Sequence, residues 1–199
     1  MNRIHASIAH LSLALGLFAA TAMAAPSTWV IDPVHSSVSF KVKHMMISNV
    51  VGNFTKFSGT IDADEADLSK SKVNVSIDIS SITTGVDARD NHLKSPDFFD
   101  VAKFPTMTFV SKSVKVISKD KLEVTGDLTM HGVTKSVVLA VDGPTDAINA
   151  MGHTERGASA TTKISRKDFG LTWNKAIEAG GVAVGDEVTI SLELELTKK

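Results

Sequence analysis

Apolar and polar residues alternate along most of this chain with a period of two. Val38, Phe40 and Val42 are separated by the polar residues Ser39 and Lys41. The same alternation recurs over residues 73–79, 107–109, 114–116, 122–130, 137–141, 158–164 and 188–196, and we interpret residues 54–61 as a further short strand. Alternation of this type predicts β-strands with one apolar and one polar face. The predicted fold class is therefore all-β.

Short turn signals separate these predicted strands, for example His131-Gly132 and Gly185-Asp186. About eight one-faced antiparallel strands either pair into a sandwich or close into a barrel, and closure removes the exposed edges. A barrel of eight strands has an interior that side chains fill or that holds one slender ligand. The small residues Gly126, Ala158 and Ala160 fall on the predicted inner face, where they either leave a tunnel or accommodate bulky neighbours.

An outer-membrane barrel shows the same alternation with its apolar face turned outward. The chain lacks tyrosine, contains two tryptophans and ends in Thr-Lys-Lys, so it offers no aromatic girdles. Several predicted strands are also short for crossing a bilayer. These features favour a barrel with its apolar face inward and argue against stable membrane insertion.

The stretch ARDNHLKSPDFFDVAKFP, residues 88–105, interrupts the alternation. Ser95, Pro96 and Asp97 are typical of a helix N-terminus, and Pro105 would end the helix. We therefore expect one short helix that caps an open end of the barrel, with Phe98 and Phe99 facing inward. Arg89, Asp90 and His92 would precede this helix on the rim.

The amino-terminal residues have the features of a secretory signal. A largely apolar run over residues 8–20 precedes Ala22-Met23-Ala24, which matches the small-x-small rule for cleavage. We expect residues 1–24 to be a signal peptide and residues 25–199 to form one domain. Without cysteine, that domain depends on an adequate core. Cleavage would remove one arginine and no acid, changing the net charge from −1 to −2, which argues against a nucleic-acid partner.

Four separate motifs resemble the YceI family, and the resemblance extends in order over nearly all of the chain after residue 24. They are HSSVSFKVKH at 35–44, RDNHLKSPDFFD at 89–100 followed by Phe104-Pro105, GDLTMHGVTK at 126–135 and RKDFGL at 166–171. The resemblance implies a periplasmic, lipocalin-like antiparallel β-barrel with a short helical cap. It also implies a tunnel that binds a polyisoprenoid, such as a prenyl alcohol, a prenyl phosphate or a quinone.

Twelve residues are the candidates for ligand binding, in a wall, a cap and a rim. The set comprises Phe40, Val42, Met107, Phe109, Leu128 and Met130 in the wall, Phe98 and Phe99 in the cap, and His44, Arg89, His92 and Trp173 at the ends of the barrel. The wall residues would serve equally as packed core. Each buried CH₂ would contribute about 0.8 kcal/mol to the binding of an apolar chain.

Several polar candidates have a structural alternative. Arg89 either meets an oxygen of a head group or forms an ion pair with Asp90, Asp97 or Asp100. His92 either donates to a head group or bonds a backbone carbonyl. His44 and His131 are more typical of satisfied residues at the ends of the core. Arg166 and Asp168 are expected to form an ion pair that positions Phe169.

The sequence favours a binding protein over an enzyme. The histidines at 35, 44, 92, 131 and 153 are well separated, and no G-x-S-x-G elbow or phosphate-binding glycine motif occurs. We therefore expect no catalytic residue, metal or cofactor. A hydrolase acting on a lipid ester and a stress-response scaffold are the alternatives. The Leu-Glu-Leu-Glu-Leu run at residues 192–196 would either support a homodimer or close the barrel.

Overall fold

The computed structural model of the chain describes residues 26–178 and 180–199, so the predicted signal peptide at 1–24 lies outside the described residues. The helix α1 spans Asp87–Lys94. The strands are β1 (Ser27–Ile31), β2 (Ser37–His44), β3 (Ser48–Phe54), β4 (Phe57–Ala63), β5 (Lys72–Asp78), β6 (Ile82–Thr83), β7 (Thr106–Ser118), β8 (Lys121–Met130), β9 (Val133–Asp142), β10 (Ile148–Ala150), β11 (His153–Ser165) and β12 (Val184–Lys198). Turns of 3₁₀-helix span Leu68–Lys70, Ile79–Ser81 and Arg166–Phe169.

The strands form a closed antiparallel barrel, which confirms the predicted fold class. β1 and β2 lie end to end beside β12, because β2 pairs with residues 184–193 and β1 with residues 196–198. β3 and β4 continue end to end in the same way beside β2 and β1. Counting each of these pairs as one long strand gives eight strands, in the order β1–β2, β3–β4, β5, β7, β8, β9, β11 and β12.

β12 closes the ring. One edge of this strand pairs with β11 from Ser165↔Glu187 to Glu155↔Thr197, and the other edge pairs with β2 and β1. The run at residues 192–196 therefore has partners on both sides, as expected for a strand that closes the barrel. Closure gives the backbone donors and acceptors of this strand partners on both edges.

Period-two alternation places the apolar side chains inside the barrel. In β8, for example, Leu122, Val124, Leu128 and Met130 are buried, while the residues between them are more exposed. The main core extends over most strands, and a smaller cluster of Trp29, Ile31, Ala63 and Leu196 lies where β1, β4 and β12 meet.

The predicted position of the helix is wrong. The helix begins at Asp87 and ends at Lys94, so it contains Arg89, Asp90 and His92, and Ser95 is its C-cap residue. The residue before a proline is disfavoured in the α region, so Pro96 marks the end of this helix and not its start. Ser95 Oγ donates to the carbonyl of His92 at 2.7 Å, which satisfies one of the last carbonyls of the helix.

The acidic residues of the first turn support the observed helix. Asp87 and Asp90 lie near its positive end, and His92 and Lys94 lie near its negative end. Asp90 Oδ1 also accepts hydrogen bonds from the backbone and hydroxyl of Thr84, at 2.8 and 2.5 Å, which fixes the helix to the loop before it. Across the described residues, we find no helix whose length and apolar character would suffice to cross a membrane.

Candidate ligand-binding cavity

An apolar cavity of about 230 Å³ lies inside the barrel. One water molecule needs only about 10–15 Å³, so this space is much larger than an ordinary packing defect. Almost all of its wall is aliphatic and aromatic carbon. The polar side chains in the wall are Ser39, Ser71, Thr162, Arg156 and Arg166. The barrel therefore has an interior suited to an apolar ligand with few polar groups.

Eight of the twelve predicted site residues line this cavity: Phe40, Val42, Phe98, Phe99, Met107, Phe109, Leu128 and Met130. The cavity also has wall residues that the sequence analysis did not select, such as Ile31 and Leu196 near the first strand. β1 was missed because its apolar residues Trp29 and Ile31 form too short a run to indicate a strand. His44, Arg89, His92 and Trp173 do not belong to the cavity wall.

The three small residues of the inner face have two different roles. A Cβ atom on Gly126 would lie 2.4 Å from Cζ of Phe109, so this glycine accommodates the Phe109 ring. Ala158 and Ala160 instead line the cavity, where their small side chains leave space between the larger residues of neighbouring strands. Alanine on β11 is therefore one physical reason for the cavity.

Aromatic side chains close the end of the cavity nearest to α1. Phe98 and Phe99 are 6% and 9% exposed, and both line the cavity. The Phe98 ring centroid lies 5.1 Å from that of Trp173 and 5.0 Å from that of His92. His92 also contacts the Trp173 ring and bonds Asp97 Oδ2 at 2.9 Å. These contacts hold His92 and Trp173 behind Phe98, outside the cavity wall.

Arg89 is engaged with the loop that precedes α1. Its Nε donates to Thr84 Oγ1 at 2.7 Å, and its Nη2 donates to the Thr84 carbonyl at 3.0 Å. The ion pair with Asp90, Asp97 or Asp100, one of the two alternatives for Arg89, is not seen among the described residues, and Thr84 takes the place of the carboxylate. Arg89 therefore anchors the helix.

Arg166 is buried at the end of the barrel nearest to α1, where it connects β12 with the chain after Gly170. Its Nε donates to the carbonyl of Gly185 at 2.9 Å, and its Nη1 donates to the carbonyls of Leu171 at 2.5 Å and Trp173 at 2.9 Å. The acid near it is Asp186, at 3.5 Å. The predicted ion pair with Asp168 is therefore wrong, because carbonyls of the chain after Gly170 and of β12 take up the guanidinium donors.

A second buried arginine, Arg156, lies at the opposite end of the cavity. Its guanidinium carbon is 3.9 Å from the centroid of the Trp29 ring, and its Nη1 lies 3.3 and 3.4 Å from the two carboxylate oxygens of Glu65. The Trp29 indole donates to Glu65 Oε1 at 3.1 Å, and the Ser27 hydroxyl also donates to this oxygen. The sequence analysis missed Arg156, although it shares the alternation of Ala158 and Ala160.

Burial and hydrogen bonding act in opposite directions on this pair. Burial alone would raise the pKa of Glu65, but hydrogen bonds from Ser27 and Trp29, together with the charge of Arg156, lower it overall. Burial lowers the pKa of Arg156, and Glu65 opposes that effect. Because a guanidinium stays protonated in proteins and the pKa of Glu65 is lowered, the two side chains form an ion pair at this end of the barrel.

A polar cluster lies outside the barrel near Arg156. Potential ligand atoms of Asp32, His35 and Glu195 lie within 4.8 Å of one another, and His35 Nδ1 is 2.7 Å from Asp32 Oδ2. The hydrogen bond with Asp32, followed by the charges of Asp32 and Glu195, raises the pKa of His35. This cluster joins the loop after β1 to β12, and Glu195 lies too far along the chain for its proximity to be predicted.

At the other end of the barrel, His131 Nδ1 lies 3.1 Å from the carbonyl oxygen of Phe169.

Residues 29–196 match the model of the YceI-like domain family. A UPF0312 protein of Staphylococcus aureus strain MSSA476 is 38% identical over 172 residues, which cover 86% of this chain and 98% of the relative.

Solved structures of similar proteins share the barrel. The YceI protein of Campylobacter jejuni is 37% identical, with a TM-score of 0.68 over 80% of this chain and 91% of the other. A polyisoprenoid binding domain from Saccharophagus degradans, implicated in plant cell wall breakdown, matches with a TM-score of 0.62 over 86% of this chain and 98% of the other. At 17% identity, the latter similarity concerns the fold alone.

Proposed function

The chain belongs to the YceI-like domain family, and we propose that it binds a long polyisoprenoid chain inside its barrel without catalysing a reaction. The observation that carries this proposal is the apolar cavity, whose wall extends from Phe98 and Phe99 at one end to Arg156 at the other. The name of the Saccharophagus degradans domain supports the class of ligand by analogy.

The length of the cavity suits a slender chain. Arg156 and Arg166 both line it and are separated by ten positions, nearly all of them in β11. At about 3.3 Å per residue and a strand tilt of about 40°, this separation corresponds to about 25 Å along the barrel axis. A long narrow space with an apolar wall favours an extended chain over a compact ligand.

Burial of the chain would supply the affinity. Each five-carbon isoprene unit would contribute roughly 3–4 kcal/mol at about 0.8 kcal/mol per buried CH₂, before the cost of ordering the ligand. The wall contains aliphatic and aromatic residues, three hydroxyl side chains and two arginines, and no aspartate, glutamate or histidine among the described residues. General acid or base catalysis depends on such titratable groups. This composition favours binding over chemistry.

We further propose that the protein acts in the periplasm as a carrier. The support is the leader-like sequence at 1–24, with its small-x-small site before Ala25. Cell fractionation and N-terminal sequencing test this part directly. The expected result is a periplasmic protein that begins at Ala25, and a cytoplasmic protein that retains Met1 would contradict it.

Native mass spectrometry of the purified protein, followed by organic extraction, tests the proposed ligand. We expect one polyisoprenoid per protein, or a one-to-one complex after addition of squalene, a polyisoprenoid hydrocarbon without a head group. We also expect no turnover of chromogenic lipid esters. A protein that carries no lipid and refuses squalene would refute the proposal.

A further inference from the structure

The hairpin between β2 and β3 ends in three exposed apolar residues. Met45, Met46 and Ile47 are 40%, 54% and 81% exposed, and we call these three residues the Met tip. A run of exposed apolar residues is unfavourable in a folded domain unless it has a function. Exposed apolar patches commonly mark a contact with another protein or with a membrane.

The backbone of the Met tip is also strained. The backbone N–H of Ile47 donates to the carbonyl of His44 at 3.1 Å, and the two central residues of this turn, Met45 and Met46, have φ values of 48° and 61°. Positive φ at both central positions is typical of a type I′ turn, which strongly prefers Asn-Gly. Methionine is unfavourable in this conformation, so the stability of the turn does not explain why two methionines occupy it.

The Met tip lies at the end of the barrel nearest to α1. The backbone N–H of Met45 donates to the carbonyl of Ala183, and that of Ala183 donates to the carbonyl of Lys175, both at 2.8 Å. Lys175 follows Trp173 by two residues, and the Trp173 ring packs against Phe98, which lines the cavity. The Met tip is therefore connected to the aromatic residues that close the cavity.

Charge distinguishes this end of the barrel from the other. Lys43 lies two residues before the Met tip, and Lys175 is linked to it through the chain, so a negatively charged surface would attract both side chains. At the other end, Met151 is fully exposed and Ile148 is 61% exposed. Ile148 pairs with Glu155, however, and three further carboxylates line the same cleft. Their negative charge would repel an anionic surface there.

The acids close to the Met tip in the chain are paired or few. Asp186 on β12 lies 2.8 Å from Lys167 Nζ and also contacts Arg166. Glu187 forms a salt bridge with a lysine of β11. Between residues 175 and 183 the sequence contains one acid, Glu178. Positive charge therefore accompanies the apolar side chains at this end.

We propose that the Met tip is a membrane-docking element that places the α1 end of the barrel on a bilayer containing anionic lipids. The apolar side chains insert among the lipid head groups, and the ammonium groups of Lys43 and Lys175 contact lipid phosphates. Contact through three side chains is reversible, unlike a membrane-spanning segment. The docking stands by itself, whereas its role rests on the proposed function, since the aromatic end of the cavity would then exchange a polyisoprenoid with the bilayer.

Flotation with lipid vesicles tests the docking. The probes are vesicles of phosphatidylglycerol and phosphatidylethanolamine, compared with vesicles of phosphatidylcholine, and the purified protein is used without added ligand. We expect the wild-type protein to bind the anionic vesicles at least tenfold more tightly than the neutral ones, because each lysine near an anionic surface contributes about fivefold. Binding to neither kind of vesicle, or equal binding to both, would overturn the proposal.

Met45→Asn combined with Met46→Gly replaces the two methionines with the preferred turn sequence. This double variant should bind anionic vesicles at least tenfold more weakly, a loss that corresponds to the burial of about two CH₂ groups. Its unfolding midpoint should equal or exceed that of the wild-type protein, because the strain of the turn is relieved. Weaker binding would therefore not come from unfolding. The variant and the wild-type protein share one amino terminus, so a difference in binding reports the Met tip.

Met151→Asn is the matched control. Met151 is also an exposed methionine with a positive φ, of 50°, and it lies in the hairpin turn between β10 and β11 at the other end of the barrel. This variant should bind anionic vesicles like the wild-type protein. Undiminished binding by the double variant would overturn the proposal, as would an equal loss in Met151→Asn. A wild-type protein that ignores vesicles and dimerises through the Met tip would show that the tip contacts a second copy instead.

Squalene uptake tests the role of the docking separately. The double variant should take up squalene from anionic vesicles at least tenfold more slowly than the wild-type protein, with unchanged affinity for squalene added in ethanol. Equal uptake rates would show that docking does not serve lipid exchange. If the wild-type protein binds vesicles and refuses squalene from both sources, the proposed function fails and the docking stands.

Discussion

Filling the cavity at Ala160 should weaken ligand binding strongly without unfolding the protein. Ala160 is 8% exposed, lies on β11 opposite Leu192 of β12 and Val141 of β9, and lines the cavity. Ala160→Phe adds six carbon atoms, slightly more than one five-carbon isoprene unit. A chain that loses one unit's burial loses roughly 3–4 kcal/mol, at about 0.8 kcal/mol per CH₂, or two to three orders of magnitude in affinity.

The same substitution should preserve the fold. The cavity of about 230 Å³ offers room for the ring, and burying its apolar surface opposes the strain of a larger core residue. We therefore expect an unfolding midpoint equal to or above that of the wild-type protein. Squalene binding by fluorescence competition and thermal melting by circular dichroism measure the two effects separately.

Thr161→Phe is the matched control. Thr161 is the next residue of β11, it is exposed, and alternation turns its side chain away from the cavity. This variant should bind squalene like the wild-type protein. If Ala160→Phe is folded and binds within threefold of the wild-type affinity, the cavity is not the binding site. An equal loss in both variants would show that the effect does not come from filling the cavity.

Three further predictions concern the residues that support the barrel. Arg166→Met should lower the free energy of unfolding, measured in urea, by roughly 3 kcal/mol, because it leaves buried carbonyls without donors. A change below about 1 kcal/mol would show that the hydrogen bonds of Arg166 do not stabilise the barrel. Gly126→Ala should lower the free energy of unfolding by about 1–3 kcal/mol in the same assay, since the new Cβ would lie 2.4 Å from Phe109. An unchanged unfolding midpoint would show that the Phe109 ring can move aside. His35 should titrate above its ordinary pKa of 6.5 in NMR, and Asp32→Asn should lower this pKa. Because the folded-state pKa of His35 is raised, its stabilisation of the fold is complete below the unfolded-state pKa and is lost as the pH rises through the folded-state pKa. An unshifted pKa of His35 would refute its pairing with Asp32.

Most of the longer strands were predictable because one face of each is buried, whereas β1 was missed and the single strand predicted over residues 54–61 is wrong, since β3 ends at Phe54 and β4 begins at Phe57. In β8, for example, every second residue is apolar in the sequence, and those residues, Leu122, Val124, Leu128 and Met130, are the buried ones in the barrel. The pairing partners were not predictable, because β12 pairs with β1 and β2 across most of the chain length. Local alternation determines which face a residue occupies but carries no information on which strand lies beside it.

The helix and the arginines show two other limits of the sequence. Ser95 and Pro96 fit both ends of a helix locally, and the residues that decide between them, Asp87 and Asp90, lie earlier in the chain. Arg156 could be placed on the inner face because it lies two residues before Ala158 on the same strand. Its partner Glu65, however, is 91 positions away, so the sequence did not indicate how its charge is accommodated in the wall.

The closure of the ring by β12 determines when the barrel can form. Its partners β1 and β2 are the first described strands, and the pairing of Trp29 with Lys198 spans almost the whole chain. The first strands therefore gain both neighbours only when the last segment of the chain is available. Such long-range pairing makes folding slow and leaves apolar strands exposed to aggregation meanwhile. A chaperone that shields these strands until β12 can pair would favour correct folding.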